Sequence, residues 1–138
     1  KDETDLEVAL HEAAEAGCSR VTMIAALGGR LDQMLSNIYL LNLPVLANLD
    51  ARIDDGRQEV LLIHDAVDIF GRPGDIVSLL PLSPIVRGIT TSGLKYPLVE
   101  ESLIFYRSRG ISNEMLSGQA RIEIQSGILL CVHQRVEV

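Results

Sequence analysis

The 138-residue sequence predicts an α/β segment followed by an all-β domain. Helix-period segments alternate with short β-prone runs only in the first third of the chain, which is typical of an α/β layer. After residue 51, β-prone runs follow one another with turn residues between them, and no helix-period segment intervenes. We therefore expect two domains, residues 1–51 and residues 52–138, and the second is expected to be a β-sandwich or barrel.

Two helices are predicted in the first domain. Thr4 and Glu7 form a Thr-x-x-Glu capping box, so the first helix is expected to begin at Thr4 and to end at Gly17. The second is expected over residues 31–41, where apolar residues recur at helical spacing and form one stripe. It should stop before Pro44, because the residue that precedes a proline disfavours helix.

Short β-prone runs predict the strands. Two of them, residues 21–26 and 45–47, alternate with the helices of the first domain. Residues 51–63 indicate a hairpin with Asp55-Gly56 at its turn, since Asp-Gly favours a tight hairpin turn. Five further strands are predicted in the second domain, at residues 75–80, 85–91, 103–106, 120–124 and 128–132.

Composition narrows the classes of function. The net charge of −7 argues against a nucleic-acid-binding surface. No apolar run approaches the ~20 residues that a membrane-spanning helix needs. Cys18 and Cys131 lack the spacing of metal ligands, and we expect two buried thiols in a reducing compartment. With no secretory signal in the sequence, a cytoplasmic protein is expected.

Three carboxylates and a hydroxyl precede the first helix, in Lys1–Asp5. Two interpretations are open at this point. The positive end of the helix dipole favours carboxylates at this place, and this is sufficient reason for them. Alternatively, they supply oxygen ligands to Mg²⁺, which usually takes one or two carboxylates together with substrate phosphates.

A glycine pair lies between the first strand and the second helix, in Gly28–Gln33. Glycines allow a ligand to approach the backbone closely, and a helix N-terminus favours anions. Arg30 offers a planar fork for phosphate oxygens, and Asp32 offers a ligand for Mg²⁺ or for a substrate hydroxyl. A Gly-Gly turn is also a common way to leave a strand. Neither a P-loop nor a Gly-x-Gly-x-x-Gly motif occurs.

Two polar loops interrupt the apolar second domain, at Val86–Leu98 and Ser108–Glu114. Their hydroxyls, one amide and one aromatic ring suit a flat heterocycle, and ordinary turns are the alternative interpretation. His11, His64 and His133 have no zinc-ligand spacing, so surface or structural roles are expected for them.

Taken in order, these motifs resemble those of bacterial thiamine pyrophosphokinases. The motifs are Lys-Asp-x-Thr-Asp, Gly-Gly-Arg-x-Asp-Gln, Ser-Leu-Leu-Pro-Leu, Thr-Thr-x-Gly-Leu-Lys-Tyr-x-Leu and Ser-x-Gly-x-Ser-Asn-Glu, at residues 1–5, 28–33, 78–82, 90–98 and 108–114. The resemblance runs the whole length of the chain. It implies an α/β ATP-binding domain followed by a β-sandwich thiamine-binding domain.

The resemblance also implies the reaction, which is transfer of a diphosphate from ATP to thiamine to give thiamine diphosphate and AMP. It implies Mg²⁺ as the cofactor and a homodimer as the assembly. In that dimer each active site lies between the α/β domain of one subunit and the sandwich of the other.

Roles for individual residues follow from the resemblance by position. Asp5 would bind Mg²⁺, with Asp2 as a second candidate. The implied catalytic residues are Asp5, Arg30 and Asp32, of which Arg30 meets the phosphates and Asp32 orients substrate or metal. The residues implied to bind ATP are Thr4, Gly28, Gly29, Arg30 and Gln33.

On the thiamine side, the resemblance implies that Tyr96 stacks on the ring of thiamine, where some relatives have Trp. Ser112 and Asn113 would hydrogen-bond the pyrimidine or line its pocket. Lys95 is open between a structural and a phosphate-directed role.

The sequence departs from the family pattern in one respect. Family members carry a further section ahead of Lys1, with an Asp-rich Gly-Asp-x-Asp-Ser segment that takes part in binding Mg²⁺ and ATP. We therefore expect the parent protein to be the enzyme and this chain to be inactive alone. The alternative is a truncated, catalytically inactive module that dimerises and binds thiamine. A different nucleotide-dependent transferase is disfavoured by the two thiamine-side motifs.

Overall fold

The computed structural model describes residues 3–24 and 26–137. The chain divides into two compact units, Lys1–Leu61 and Leu62–Val138. The first unit contains both described α-helices, and the second is built from strands. The predicted fold class, an α/β part followed by an all-β part, is confirmed.

Helix α1 spans Asp5–Glu15 and begins at the predicted cap. The Thr4 hydroxyl accepts a hydrogen bond of 3.2 Å from the Glu7 N–H, which satisfies one of the amide groups that a helix start leaves without a partner. Gly17, with φ of 82°, has the left-handed conformation that commonly ends a helix. Both ends of α1 agree with the sequence prediction.

A parallel pair of strands follows, with a helix between them in sequence. Strand β1 spans Arg20–Met23, helix α2 spans Leu31–Leu40 and strand β2 spans Asp50–Asp54. β1 and β2 run parallel, with Val21 opposite Ala51. Parallel neighbours need a crossover connection, and α2 lies in it. The α/β character predicted for this part of the chain follows from this pairing.

The predicted strand at residues 45–47 is wrong, because Pro44–Leu46 forms a 3-10 helix. Proline has a fixed φ that suits the first position of a helical turn. The Leu46 N–H donates to the Leu43 carbonyl over 2.9 Å, and Leu46 is buried. A run of three apolar residues is compatible with a buried strand and with a buried turn, so its pattern could not distinguish them.

Helix α2 buries less of its apolar stripe than its spacing predicts. Leu31 is 66% exposed and Leu35 is 39% exposed, whereas Leu41, just beyond the helix, is buried. Tyr39 adds a third exposed apolar side chain at 58%. Within the part of the chain that the structure describes, α2 therefore presents apolar residues to solvent.

The predicted hairpin is confirmed. Strand β3 spans Gln58–Ile63 and pairs antiparallel with β2. At the turn, the Asp55 carboxylate accepts hydrogen bonds from the N–H groups of Arg57 and Gln58, over 2.9 and 2.7 Å. Gly56 has φ of 90°, a conformation that glycine adopts without steric cost.

The second unit contains two groups of antiparallel strands. In one, β5 lies between β10 and β8, and in the other the order is β4-β9-β6-β7. Alternate residues of β9, such as Ala120 and Ile122, are buried, as in a strand with one face on a core. The sequence predicts neither β4 nor β8. The bounds are β4 Ala66–Phe70, β5 Ile76–Pro81, β6 Ile85–Ser92, β7 Glu101–Ile104, β8 Asn113–Glu114, β9 Gln119–Glu123 and β10 Leu129–Gln134.

The two cysteines are thiols in different environments, and neither forms a disulfide with another described residue. Cys131 lies in β10 with no exposed surface, as expected. Cys18 is exposed, so the prediction of two buried thiols is wrong for this residue. Cys18 follows the turn that ends α1 and lies in a connecting segment, and such segments run over the surface. None of the described helices is long and apolar enough to cross a bilayer.

Candidate functional site

The two polar loops of the second unit lie side by side. The Lys95 N–H donates to the Glu114 carbonyl over 2.8 Å. Leu94 and Met115 form an antiparallel bridge, and each side chain is only 2% exposed. Their burial fixes the loops to the core, because returning buried apolar side chains to water costs free energy. The structure thus brings together two motifs that are separate in sequence.

Asn113 contacts the backbone of Tyr96 through both ends of its carboxamide. Asn113 Oδ1 accepts from the Tyr96 N–H over 3.0 Å, and Asn113 Nδ2 donates to the Tyr96 carbonyl over 2.7 Å. The same Oδ1 accepts from the Glu114 N–H over 2.9 Å. Two of the three residues predicted for the thiamine side, Tyr96 and Asn113, are therefore hydrogen-bonded to each other.

Ser112 has an uncommon backbone conformation, with φ of 62°. For a residue with a Cβ, this left-handed region costs roughly 1–2 kcal/mol. The Ser112 N–H donates to Ser78 Oγ over 3.0 Å, and Leu79 donates its N–H to the Gly110 carbonyl over 2.8 Å. These bonds attach the loop to β5. Backbone strain that is held in this way is frequent at functional sites.

The Tyr96 side chain is 60% exposed. Lys95 Nζ lies 5.4 Å from the centroid of its ring, within the range of a cation–π contact. The structure therefore gives Lys95 a contact with Tyr96 and leaves much of the ring accessible to a ligand.

A buried aspartate, Asp75, lies next to these loops and is hydrogen-bonded through its backbone to Met115, which directly follows one of them. Asp75 is 1% exposed, and its Oδ2 lies 2.7 Å from Nε2 of the fully buried His133. The Asp75 carbonyl accepts from the Met115 N–H, and the Gly74 N–H donates to the Met115 carbonyl, each over 2.8 Å. Sequence reasoning assigned Asp75 only to the start of a strand. No local motif marks it, because its partners are distant in sequence.

The surroundings of Asp75 keep it ionised. Burial acts to raise the pKa of this carboxyl group. Hydrogen bonds from the Val136 N–H, from His133 and from the Arg72 N–H outweigh burial, and the pKa lies below its ordinary value. Since an ionised carboxylate only accepts hydrogen bonds, His133 donates its Nε2 proton to Asp75.

In the first unit, Arg30 and Asp32 form a two-point ion pair at the start of α2. Arg30 Nη2 donates to Asp32 Oδ2 over 2.6 Å, and Arg30 Nε donates to Asp32 Oδ1 over 3.1 Å. The Gln33 N–H donates to the same Oδ1 over 2.9 Å. The hydrogen bond from Arg30 is the main cause that holds the pKa of Asp32 below its ordinary value. Both side chains are mostly exposed.

The glycine turn ahead of this pair has the conformation that glycine permits. Gly28 and Gly29 have φ of 93° and 75°. Asn37, in α2, donates from Nδ2 to the Ala26 carbonyl over 2.9 Å and attaches the turn to the helix. Sequence reasoning did not identify Asn37, since a polar residue at mid-helix carries no signal of such a contact.

The predicted metal residues precede or begin α1. Asp5 is in the first helical turn, and Thr4 uses its hydroxyl as the helix cap. Asp2 lies outside the described residues. Among residues 3–24 and 26–137 there is no group of three or more His, Cys, Asp or Glu side chains that could hold a metal ion.

The second unit also contains a polar concavity of about 410 Å³, and Gly88 and Thr90 of the first polar loop line part of it. Asp65, Glu100 and Glu123 contribute carboxylates to it. Arg121 donates from Nε to Glu123 over 2.9 Å, and this bond is the main cause that raises the Arg121 pKa. Arg121 therefore offsets part of the negative charge in the concavity.

Two family models match consecutive parts of the chain. Residues 1–54 match the catalytic domain of thiamin pyrophosphokinase, and residues 64–129 match the vitamin B1 binding domain of the same enzyme. The chain belongs to the thiamine pyrophosphokinase family. The family resemblance inferred from the motifs is therefore confirmed.

Relatives in the thiamine pyrophosphokinase family agree in sequence and in structure. Thiamine pyrophosphokinase of Bacillus subtilis (strain 168) is 28% identical over 134 residues, which are 96% of this chain and 63% of the relative. The crystal structure of thiamine pyrophosphokinase from Bacillus subtilis has a TM-score of 0.91 and 29% identity, and the match covers 99% of this chain and 65% of that one.

Thiamin pyrophosphokinase from Geobacillus thermodenitrificans has a TM-score of 0.84 at 26% identity, over 99% of this chain and 64% of that chain. This chain spans a little under two-thirds of the length of these relatives.

Proposed function

We propose that the protein carrying this chain transfers a diphosphate group from ATP to thiamine, giving thiamine diphosphate and AMP. The observation that carries the proposal is the consecutive match of a catalytic and a vitamin B1 binding domain of one enzyme family. The arrangement of residues supports it, because a phosphate-suited pair lies in the first unit and a partly exposed aromatic ring lies in the second.

At the phosphate end, Arg30 is the residue whose side chain is best suited to bind phosphate oxygens. A guanidinium group has five N–H donors, and Asp32 engages one on Nε and one on Nη2. Among the residues that the structure describes, the remaining donors have no other partner and can meet phosphate oxygens, which a planar fork binds at two points. Asp32 holds the guanidinium in position, and Gly28, Gly29, Thr4 and Gln33 complete the proposed ATP side.

Mg²⁺ is the proposed cofactor, and the residues present fit it in chemistry. The ion prefers oxygen ligands and is usually held by one or two carboxylates with substrate phosphates, so a large protein cluster is not required. Asp5 is the proposed ligand among the described residues, and Asp2 is the second. When bound, the ion would neutralise negative charge on the phosphates.

At the thiamine end, Tyr96 offers its exposed ring for stacking, since a π-face attracts a flat heterocycle and a cationic ligand. Ser112 offers its hydroxyl from the neighbouring loop, where it precedes Asn113, and the Asn113 carboxamide bonds to the Tyr96 backbone. This set forms the proposed thiamine-binding residues.

In the proposed step, the hydroxyl oxygen of thiamine attacks the β-phosphorus of ATP and forms a new O–P bond. The bond between the β-phosphorus and the oxygen that bridges to the α-phosphorus breaks, and AMP leaves with that oxygen. The hydroxyl proton passes to solvent. Phosphoryl transfer leaves little covalent work to a protein, so positioning and charge neutralisation should supply most of the rate.

We also propose a homodimer, in which each active site lies between the first unit of one subunit and the second unit of its partner. The family resemblance of the motifs supports this assembly. Sedimentation at several protein concentrations would test it, and a monomer at micromolar concentration would contradict it.

The first experiment is calorimetric titration of thiamine together with an assay of AMP release from Mg-ATP. It is made on the 138-residue chain and on the protein that carries it. Binding and AMP release by the protein support the transferase. Thiamine binding with no AMP release in either sample would support the alternative, a binding module. A folded protein that binds no thiamine would contradict both.

Replacing Arg30 by lysine tests the phosphate end. We expect Arg30→Lys to lower the rate of AMP release by at least about tenfold, because an ammonium group cannot bind two oxygens as a planar fork does. Arg20→Lys is the matched control, since the Arg20 side chain is 75% exposed against 74% for Arg30 and also pairs with an aspartate. Equal rates for the two variants would contradict the role of Arg30.

A further inference from the structure

We infer that Asn113 is a positioning residue, which fixes the backbone of Tyr96 and acts on thiamine through the Tyr96 ring. The inference rests on the proposed function and divides the proposed thiamine-binding residues into two kinds. Tyr96 and Ser112 contact the ligand, whereas Asn113 holds Tyr96 in place.

The hydrogen bonds of the Asn113 carboxamide carry the inference. A carboxamide has two acceptor positions on oxygen and two donors on nitrogen. Both acceptor positions are used, by the N–H groups of Tyr96 and Glu114, and one donor is used by the Tyr96 carbonyl. Counted over the described residues, three of these four positions are used, and one N–H remains for a ligand. Asn113 is therefore poorly equipped to recognise a pyrimidine, which would need both a donor and an acceptor.

The local backbone explains why a side chain, and not a neighbouring strand, forms hydrogen bonds with the Tyr96 backbone. Strand β8 is only two residues long, and Lys95 already pairs with Glu114. Pro97 follows Tyr96 and has no N–H, so a regular ladder cannot continue along this loop. The Asn113 carboxamide has the same donor and acceptor as a peptide group. It thus pairs with Tyr96 as a neighbouring strand would.

Fixing the backbone orients the ring. A tyrosine side chain has two rotatable bonds, so a fixed peptide leaves few orientations for its ring. Lys95 Nζ, 5.4 Å from the ring centroid, restricts these further. A ring that is oriented before binding loses less conformational entropy when the ligand arrives. Asn113 therefore contributes to affinity without contact with thiamine.

Ser112 differs from its neighbour in this respect. Its N–H is the group that bonds to Ser78, and within the described ranges its hydroxyl has no hydrogen-bond partner. The strained φ of 62° places this exposed residue in the loop. The hydroxyl is therefore available to a ligand, in contrast to the Asn113 carboxamide.

A double-mutant cycle tests the inference, with thiamine affinity measured by calorimetry on the full chain. We expect Asn113→Ala to weaken binding by about tenfold, the ratio that corresponds to one or two hydrogen bonds. In a Tyr96→Ala background, the same replacement should change affinity by less than about twofold, because the ring through which Asn113 acts is gone. A tenfold loss in both backgrounds would overturn the inference and indicate direct contact.

Amide hydrogen exchange gives a second readout without ligand. In Asn113→Ala, which removes the Oδ1 atom that accepts from the Tyr96 N–H, the Tyr96 amide should exchange at least about tenfold faster. Asn113→Asp keeps an acceptor oxygen for this amide and should accelerate its exchange less. The Lys95 amide is the internal control, since its partner is the Glu114 carbonyl and its rate should stay unchanged. Unchanged exchange at Tyr96 would overturn the placement of Asn113.

Failure of the proposed function can be distinguished from failure of the inference about Asn113. If the unaltered chain and the protein that carries it bind no thiamine, the proposed function fails, and any role of Asn113 in binding fails with it. If thiamine binds and the losses are additive, the inference alone is overturned.

Discussion

Asp75 shows how a single buried residue can hold several parts of a small domain. Its carboxylate accepts from His133, from the Val136 N–H and from the Arg72 N–H, over 2.7, 3.0 and 3.1 Å. Its backbone carbonyl accepts from Met115. A buried carboxylate is stable only when such donors replace water. Loss of this carboxylate should therefore affect the strand, the loop and the C-terminal segment together.

We predict that Asp75→Asn lowers the free energy of unfolding by about 1–3 kcal/mol at neutral pH, because one acceptor oxygen becomes an NH₂ group that faces donors. The Asp75 pKa is lower in the folded protein than the ordinary value of 3.8. Its contribution is therefore present above pH 3.8 and is lost as the pH falls through the lower, folded-state pKa. Urea unfolding of both proteins at several pH values measures these effects.

Asp68→Asn is the control for this prediction. Asp68 is a partly exposed carboxylate of the same unit, 3.3 Å from Arg121, and its removal should change stability by less than about 1 kcal/mol. The difference between wild type and Asp75→Asn should shrink below pH 3.8. A difference that stays constant from neutral to acidic pH would contradict the role of the ionised carboxylate.

The importance of Asp75 could not be predicted from the sequence. Asp75 and His133 are 58 positions apart, and neither lies in a motif. The sequence correctly indicated a structural or surface role for His133 but could not name its partner. Contacts between distant positions depend on strand order, which local patterns do not determine.

At the level of elements, local signals predicted most of the helices and turns. The hydrogen bonds of the capping box at Thr4 and of the turn at Asp55-Gly56 join residues within four positions of each other. The local sequence is therefore nearly sufficient to predict both features. The strand at residues 45–47 was wrong, because a short apolar run does not distinguish a strand from a 3-10 turn. β8 was missed, since a two-residue strand exists only through its partner.

Two glycines with left-handed φ allow a matched test of packing at the thiamine-side loop. Gly93 and Gly56 have φ of 80° and 90°. A Cβ at Gly93 would collide with the Gln119 carbonyl oxygen, whereas a Cβ at Gly56 meets nothing within 4 Å. The backbone strain of an alanine is similar at both positions, so the difference between them reports the collision.

We predict that Gly56→Ala lowers the free energy of unfolding by about 1–2 kcal/mol, from backbone strain alone. Gly93→Ala should lower it by roughly a further 1–3 kcal/mol, because a backbone oxygen cannot move aside as a flexible side chain can. Urea unfolding measures both. Equal losses for the two variants would show that Gly93 is not crowded.

At the level of the whole molecule, the sequence predicted an α/β part followed by an all-β part. This was possible because the spacing of apolar residues changes along the chain from a helical period to that of strands. The convergence of Tyr96 and Asn113 was not predictable, although both were predicted as site residues, since they are 17 positions apart. Family motifs predicted both of them for the thiamine side. Only the structure showed that one of them is bonded to the backbone of the other.

The reaction rates of the two thiols depend on their exposure, and one cysteine lies in each of the two units. We predict that one thiol per chain reacts rapidly with an aromatic disulfide reagent in native buffer, and that this thiol is Cys18. Cys131, with no exposed surface, should react at least about 100-fold more slowly, because it requires an opening of the second unit that costs about 3 kcal/mol.

In the control variant Cys18→Ser, the rapid phase should disappear and the slow one should remain. Urea should accelerate the slow phase as the second unit unfolds. Two thiols that react at one rapid rate in native buffer would contradict the burial of Cys131.

The left-handed backbone at Ser112 has a consequence for protein engineering. Glycine adopts a φ of 62° without the steric cost that serine bears there, so Ser112→Gly relieves local strain. Laboratory evolution for heat tolerance alone would therefore favour glycine at this position. The same substitution removes the hydroxyl from the proposed thiamine pocket. A screen that does not measure thiamine binding would therefore select a more stable protein with lower affinity for thiamine.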